Sequence, residues 1–325
     1  MRIRCLLVVL LAFGLPSQGL TADDYPNRPI TMVIPFAAGG PADVLGRMVA
    51  NKMAEVLGQR IVVENPSGAG GTVGTMRVAR SPADGYQFVL GTVGSFAQNQ
   101  TLYRQPSYNA QTDFSQIGLI AEAPLVIIAR KNLPADDLKG FVALAKSGSS
   151  PLSYGSAGPG TAVHLGCVLL DIIAGTQGVH VPYRGTSVAM QDLMGERLDY
   201  LCEVITTAKG PIDDGSVKAI AIMNKERSPA LPNVQTTSEQ GLAGAEAYTW
   251  WALFLPKNVP DAVVKKLNRA LGIAIDDPVV KERIVQLGAS PVVPSRRTPE
   301  YLAGFVKSEI EKWAVPIKKA GIMLD

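Results

Sequence analysis

Histidine is almost missing from this chain of 325 residues: it has two, His164 and His180. Cysteine is nearly as rare, at three. Neither histidine stands in a metal-ligand spacing and no Cys–His zinc pattern occurs, so no metal is expected. The chain has no G-x-x-x-x-G-K-[ST] phosphate loop and no clean G-x-G-x-x-G after a strand, so no nucleotide cofactor is expected. It has no G-x-S-x-G nucleophile elbow. Charged residues make up only 18%, and no basic stripe gathers them, which excludes a nucleic-acid reader built on phosphate contacts. No repeat of about 20–50 residues and no low-complexity stretch is present.

Long apolar runs are also lacking, except at the start. Arg2 and Arg4 precede an apolar stretch from Cys5 to Leu15, and Pro16, Ser17 and Gly19 follow. Positive, apolar, small is the layout of a secretory signal peptide, expected here over residues 1–22. The stretch is too short for a membrane span, which needs about 20 apolar residues. Cleavage is expected after Gly19 or Ala22. The exported chain then keeps roughly 300 residues, enough for two domains. Its net charge falls from +3 to about +1 once Arg2 and Arg4 are lost. Cys167 and Cys202 remain; they either pair or pack as small apolar groups.

What is there in abundance is alternation. Apolar β-branched runs at 30–34, 60–64, 86–90, 125–130, 152–155, 179–183, 198–205, 217–223 and 251–255 are expected as strands. Helical spacing separates them, as at Val44, Leu45, Met48, Val49, Met53 and Val56, and Gly58 is a natural stop. Further helices are expected over 72–80, from Asp136 or Asp137 to 146, over 161–174, after Thr186 or Ser187, over 260–275 and over about 298–319. Continuous aliphatic strands between amphipathic helices imply α/β architecture, with mostly parallel sheets covered on both faces. No disordered linker separates two lobes, so crossing strands are expected to join them.

The strand-to-helix junctions are rich in small polar residues. The first runs from Pro35 through Phe36, Ala37, Ala38, Gly39 and Gly40 to Asp43. The second runs from Gly155 through Ser156, Ala157, Gly158, Gly160 and Thr161 to His164. The third is Tyr183, Arg184, Gly185, Thr186 and Ser187. The fourth holds Thr92 and Ser95. Ligands in open α/β sheets bind beyond the carboxyl ends of the strands. Each junction exposes backbone N–H groups at a helix start, and these favour an anion. A carboxylate is thus expected to be held without a Lys or Arg partner. Taken singly, each loop also reads as a tight turn with an ordinary helix cap. Asp43 either complements its own helix dipole or orders the loop around Gly39 and Gly40. A catalytic role is not expected for any residue. The enzyme alternative is a serine hydrolase using Ser156 and His164 at their shared junction.

The same residues carry a resemblance. Tyr25-Pro26, Arg28-Pro29-Ile30, Pro35-Phe36 with Gly39-Gly40 and Asp43, Val63-Glu64-Asn65, Gly68-Ala69-Gly70-Gly71 and Asp84-Gly85-Tyr86 run in order. Asp113-Phe114, Tyr154-Gly155-Ser156, Gly160-Thr161, His164-Leu165, Pro182-Tyr183, Leu231-Pro232, Glu239-Gln240-Gly241 and Lys266-Leu267-Asn268 follow. The chain resembles the periplasmic binding proteins of tripartite tricarboxylate transporters, the Bug family, over essentially its whole exported length. The resemblance implies a two-lobed Venus-flytrap fold, with residues 23–121 plus 250–325 in one lobe and 122–249 in the other. It implies a monomer that captures a small organic acid in the periplasm and hands it to integral-membrane permease subunits. Presentation of the ligand to a sensor kinase is the alternative partner. The ligand would lie between the Phe36–Asp43 and Ser156–His164 loops. Its far end would face Ser95, the Tyr183–Thr186 loop and Glu203. The chain departs from the family pattern at Phe96, Arg184 and Glu203 to Thr207. Phe96 suggests an apolar or aromatic ligand body and reads equally as a core phenylalanine; Arg184 suggests a second carboxylate and reads equally as a solvated arginine.

Overall fold

The computed structural model describes residues 25–147 and 150–324. The expected signal peptide lies outside them. The strands are Ile30–Val33 (β1), Ile61–Glu64 (β2), Gln87–Thr92 (β3), Phe114–Arg130 (β4), Ser153–Ser156 (β5), Val179–Pro182 (β6), Tyr200–Val204 (β7), Val217–Ile222 (β8), Tyr248–Pro256 (β9) and Ser290–Pro291 (β10). The helices are Pro41–Leu57 (α1), Thr72–Ala79 (α2), Asn99–Leu102 (α3), Leu138–Ser147 (α4), Ala162–Ala174 (α5), Thr186–Met194 (α6), Ile205–Asp213 (α7), Asp261–Asp276 (α8), Pro278–Gln286 (α9) and Pro299–Ala320 (α10).

Strand order runs β2-β1-β3-β9-β4-β7-β5-β6, with β8 and β10 also paired to β4. The outer ladders, β1 with β2 and β3 and β5 with β6 and β7, are parallel. The central ladders made by β4 and β9 are antiparallel. β4 is the long strand that joins the two halves. From Phe114 to Pro124 it pairs with β9; from Leu125 onward it pairs with β7. Pro124 sits where the partner changes, a place where its missing N–H is tolerated.

One apolar cluster extends through both halves. Trp250 and Trp251 on β9 lie within it, essentially inaccessible to solvent. Truncating either to Ala would cost about 3–5 kcal/mol, the usual range for a buried large aromatic. Cys167 on α5 and Cys202 on β7 form a disulfide with a Cα–Cα distance of 5.5 Å. That settles the choice the sequence left open, and it ties the helix behind the second glycine loop to the strand ending at Val204. Among the described residues no helix is long and apolar enough to cross a membrane.

Candidate functional site

A cavity of about 50 Å³ opens where four helices begin. Gly40, Pro41 and Ala42 bring the start of α1 to it; Thr161, Ala162 and Val163 bring α5; Gly185 and Thr186 bring α6; Val204 brings α7. Phe36, Ala37, Thr92, Ala157, Thr249 and Trp251 complete the wall. Among the described residues no charged side chain lines it. The first amides of a helix lack intrahelical acceptors, and the helix dipole makes its N-terminus positive. An anion here would meet four such ends at once.

The first loop is held by charge placed outside the cavity. The Gly39 amide donates to Asp43 Oδ2 at 3.0 Å. Arg47 Nε donates to both Asp43 oxygens at 2.9 Å, and Asn65 Nδ2 to Oδ1 at 3.0 Å. Asn65 also donates to the Phe36 carbonyl at 2.9 Å. Burial works to raise the Asp43 pKa, but the hydrogen bonds from Arg47, Gly39 and Asn65 outweigh it and hold the carboxyl below its usual value. Of the two roles open to Asp43, the structure thus displays loop ordering, and its side chain stays out of the cavity wall. Pro41 at the first helical position sacrifices no donor, since that N–H would be unpaired in any residue.

The second loop is held by neutral groups. Gly158 and Gly160 have φ of +109° and +77°, a region that disfavours residues with a Cβ. Thr161 caps α5, accepting from the His164 amide and donating to the Gly158 carbonyl at 2.8 Å. The Gly160 amide donates to His164 Nδ1 at 3.2 Å. Ser156 Oγ accepts from the Gly158 amide at 3.0 Å and meets His180 Nε2 at 2.6 Å. The two imidazoles stack with centroids 4.1 Å apart. Burial pushes His180 down to about 4; burial and the neighbouring His180 push His164 down to about 3. Both are therefore neutral at pH 7. Ser156 pairs with His180 rather than His164, and its hydroxyl is wholly buried and already engaged.

The outer positions need correction. Phe96 does not face the cavity: it is fully buried, stacked on Phe254 at 3.7 Å and edge-on to Phe114 at 4.8 Å. A π-helical turn over Gly94–Gln98 rotates it into the core. Arg184 does not offer its guanidinium to the cavity; the residue is exposed and its carbonyl accepts from the Ala37 amide at 3.2 Å. The Tyr183 hydroxyl turns away to Asp192 Oδ2 at 2.6 Å. Ser95 Oγ is buried and accepts from the Thr92 amide at 3.0 Å. Ala38 and Gly39 are exposed, and Gly158, Ser156 and His164 stand behind the wall rather than in it. Glu203 also stands behind it, next to Val204, with no solvent exposure.

The halves touch across this cleft. Besides the Ala37–Arg184 bond, Ser187 Oγ donates to the Ala38 carbonyl at 2.9 Å. A Cβ added to Gly185 would lie 2.6 Å from the Ala37 Cβ, and one added to Gly70 would lie 2.1 Å from the Pro159 carbonyl oxygen. Sequence reasoning missed Pro41, Ala42, Ala162, Val163, Val204, Thr249 and Trp251. The first four simply continue helix starts already singled out. Thr249 and Trp251 lie on the crossing strand, where nothing in the local pattern marks a ligand. Among the described residues no group of three or more His, Cys, Asp or Glu could hold a metal ion.

A mixed α/β sheet that runs through two halves of the chain, with a helix-ringed cavity at its centre, is the architecture of the periplasmic solute-binding proteins. The family model described as the tripartite tricarboxylate transporter family receptor matches residues 45–322, and the chain belongs to that family. It is 39% identical over 321 residues to the Agrobacterium vitis "UPF0065 protein in the TAR-I ttuE-ttuC' intergenic region", covering 99% of this chain and 92% of the relative. Its structure is similar to that of the periplasmic binding protein BugD, with a TM-score of 0.89 and 40% identity over 92% of this chain and 99% of the other. MatC from Rhodopseudomonas palustris with bound malate gives 0.88 and 36%, over 90% of this chain and 100% of the other.

Proposed function

We propose that this protein captures a small organic carboxylate between its lobes in the periplasm and delivers it, as a monomer, to the membrane subunits of a tripartite tricarboxylate-type transporter. The observation that carries this reading is the convergence of four helix starts on a cavity wall without a charged side chain. Such a wall binds a carboxylate through backbone N–H groups, and water can bridge what does not touch directly. The malate in MatC supports the ligand class. Phe36, Ala37, Gly40, Thr161 and Thr186 are the residues assigned to the ligand. Asp43, Ser156 and His164 are assigned to holding the loops. Ser156 has no role as a nucleophile in this reading, because its hydroxyl is buried and bonded to His180. The lobes divide near Ala121–Glu122 on β4 and near Thr249–Trp250 on β9, where closure would hinge.

The test is thermal denaturation of the exported chain against a panel of aliphatic and aromatic mono-, di- and tricarboxylates. A ligand at 100 times its Kd adds about 2.7 kcal/mol of stability, which raises the melting temperature by several degrees. A shift confined to a few acids names the ligand class. A flat response to every acid, confirmed by calorimetry, contradicts the proposal.

A further inference from the structure

Glu203 is an acid buried beside a cavity meant for an acid. Its Oε1 accepts from the Val204 amide at 2.8 Å and from Thr207 Oγ1 at 3.0 Å. Its Oε2 is buried without a partner among the described residues, and so is the hydroxyl of Thr186. Buried polar atoms are rarely left so. Thr186 is 3% exposed and Glu203 0%. Thr186 belongs to the cavity wall. Its hydroxyl looks across at the first loop, 3.7 Å from where a Cβ on Gly40 would stand. Burial, the largest influence on Glu203, raises its pKa to about 7; the Val204 amide, Thr207 and Thr186 pull the other way. Thr186 and Val204, the neighbour of Glu203, share the cavity wall, and neither orphaned atom reaches the other in bonding geometry.

An ionised carboxylate only accepts, whereas a threonine hydroxyl has one proton to give and two lone pairs. Beside an acceptor with a free oxygen, a small rotation of Thr186 would give its proton to Glu203 and leave its lone pairs for the cavity. Resting on the carboxylate-capture reading, we propose that Glu203, acting through Thr186, makes this end of the cavity accept a hydrogen-bond donor and refuse a second carboxylate. The ligand is then an acid with one carboxylate, carrying a hydroxyl, amide or amino group at its other end. A second carboxylate would meet lone pairs and a like charge, and no cation lines the wall to offset either. The exposed side chain of Arg184 does not supply one. Glu203 is a positioning residue here, since Thr186 is the group that meets the ligand.

The experiment is calorimetric titration at pH 8 with matched skeletons: succinate, succinamate and 4-hydroxybutyrate, and their six-carbon counterparts. The wild-type chain should prefer the amide or hydroxy acid over the diacid by about tenfold or more, the price of facing a buried group with the wrong partner. Glu203→Gln, whose amide can also donate, should free the Thr186 proton for the cavity and erase or invert that ratio. Thr186→Val should erase it too, and carries the test if Glu203→Gln fails to fold. A structural role alone would weaken all probes together and leave the ratio fixed; that result overturns the proposal. So does wild-type binding of the diacid as tightly as its half-amide without proton uptake. Failure of every probe on every protein, together with a flat response to the wider acid panel, would instead overturn the capture reading beneath it.

Discussion

The loop from Phe36 to Asp43 and the loop from Ser156 to His164 look alike in sequence and are held in opposite ways. Each leaves a strand, turns on glycines and enters a helix. The first is fastened by an ion pair: Asp43 gathers Gly39, Arg47 and Asn65. The second is fastened by two neutral imidazoles and a serine. In both, charge is kept out of the cavity. That restraint leaves the helix starts as the source of positive field at the wall among the described residues. A cation placed there would bind an anion too, but it would cost desolvation. The backbone carries its partial charges in place, already oriented.

The largest effect should come from stopping the two loops from meeting. Gly185→Val places a Cβ 2.6 Å from the Ala37 Cβ and 3.0 Å from the Ala37 amide nitrogen. Closure should fail, and calorimetry should show affinity for the best acid falling about a hundredfold, roughly 3 kcal/mol. Melting of the unliganded chain should change far less. Next is Asp43→Ala, which orphans the Gly39 amide and releases Arg47 and Asn65. It should cost about 1–3 kcal/mol of binding, about tenfold in affinity or more.

Acid should separate the loops without a mutation. His164 and His180 have pKa values held below the ordinary 6.5. Their contribution to stability is therefore complete above pH 6.5 and is lost as pH falls through about 4 to 3. Asp43 is also held low, but from 3.8, so the first loop yields only below that pH. Melting curves from pH 8 to 4 should show the wild type ahead of His180→Gln at pH 8, and the gap should close and then reverse as pH falls below 6.5. The wild-type advantage at pH 8 should be about 1 kcal/mol, that of one buried hydrogen bond. A constant gap would contradict the neutral-pair account. The smallest effect is assigned to Arg184→Gln. Its carbonyl bridges to Ala37 while its side chain is exposed, so affinity should move by no more than about 0.5 kcal/mol. A tenfold loss would restore the guanidinium to the site.

The strand-to-helix loops were legible because glycine, serine and threonine before an amphipathic run admit few other structures. The same clarity gave α1, α5, α8 and α10 nearly to their ends. Helix α7 was not legible: Thr206, Thr207, Gly210 and Pro211 interrupt its pattern, and Pro211 sits inside it. The first half of β4 was missed because Ser115, Gln116, Glu122 and Pro124 break its apolar run, and its register shifts twice against β9. Phe96 and Arg184 were misplaced for a common reason. A residue's position on a loop does not set where its side chain goes. The π-helical turn at Gly94–Gln98 and the main-chain role of Arg184 depend on tertiary neighbours that no local window contains. The disulfide was one of two readings of a sparse cysteine count, and packing of α5 on β7 decided it.

The central claim is that the ligand is bound as an anion by helix starts rather than by a side-chain cation. Its most direct test is carbon-13 NMR of a carboxyl-labelled acid, the tightest from the panel, bound to the protein and titrated with acid. The account predicts that the bound carboxyl titrates well below its value in free solution, because four helix starts favour the ionised form. A bound carboxyl that titrates at or above its free value would contradict it.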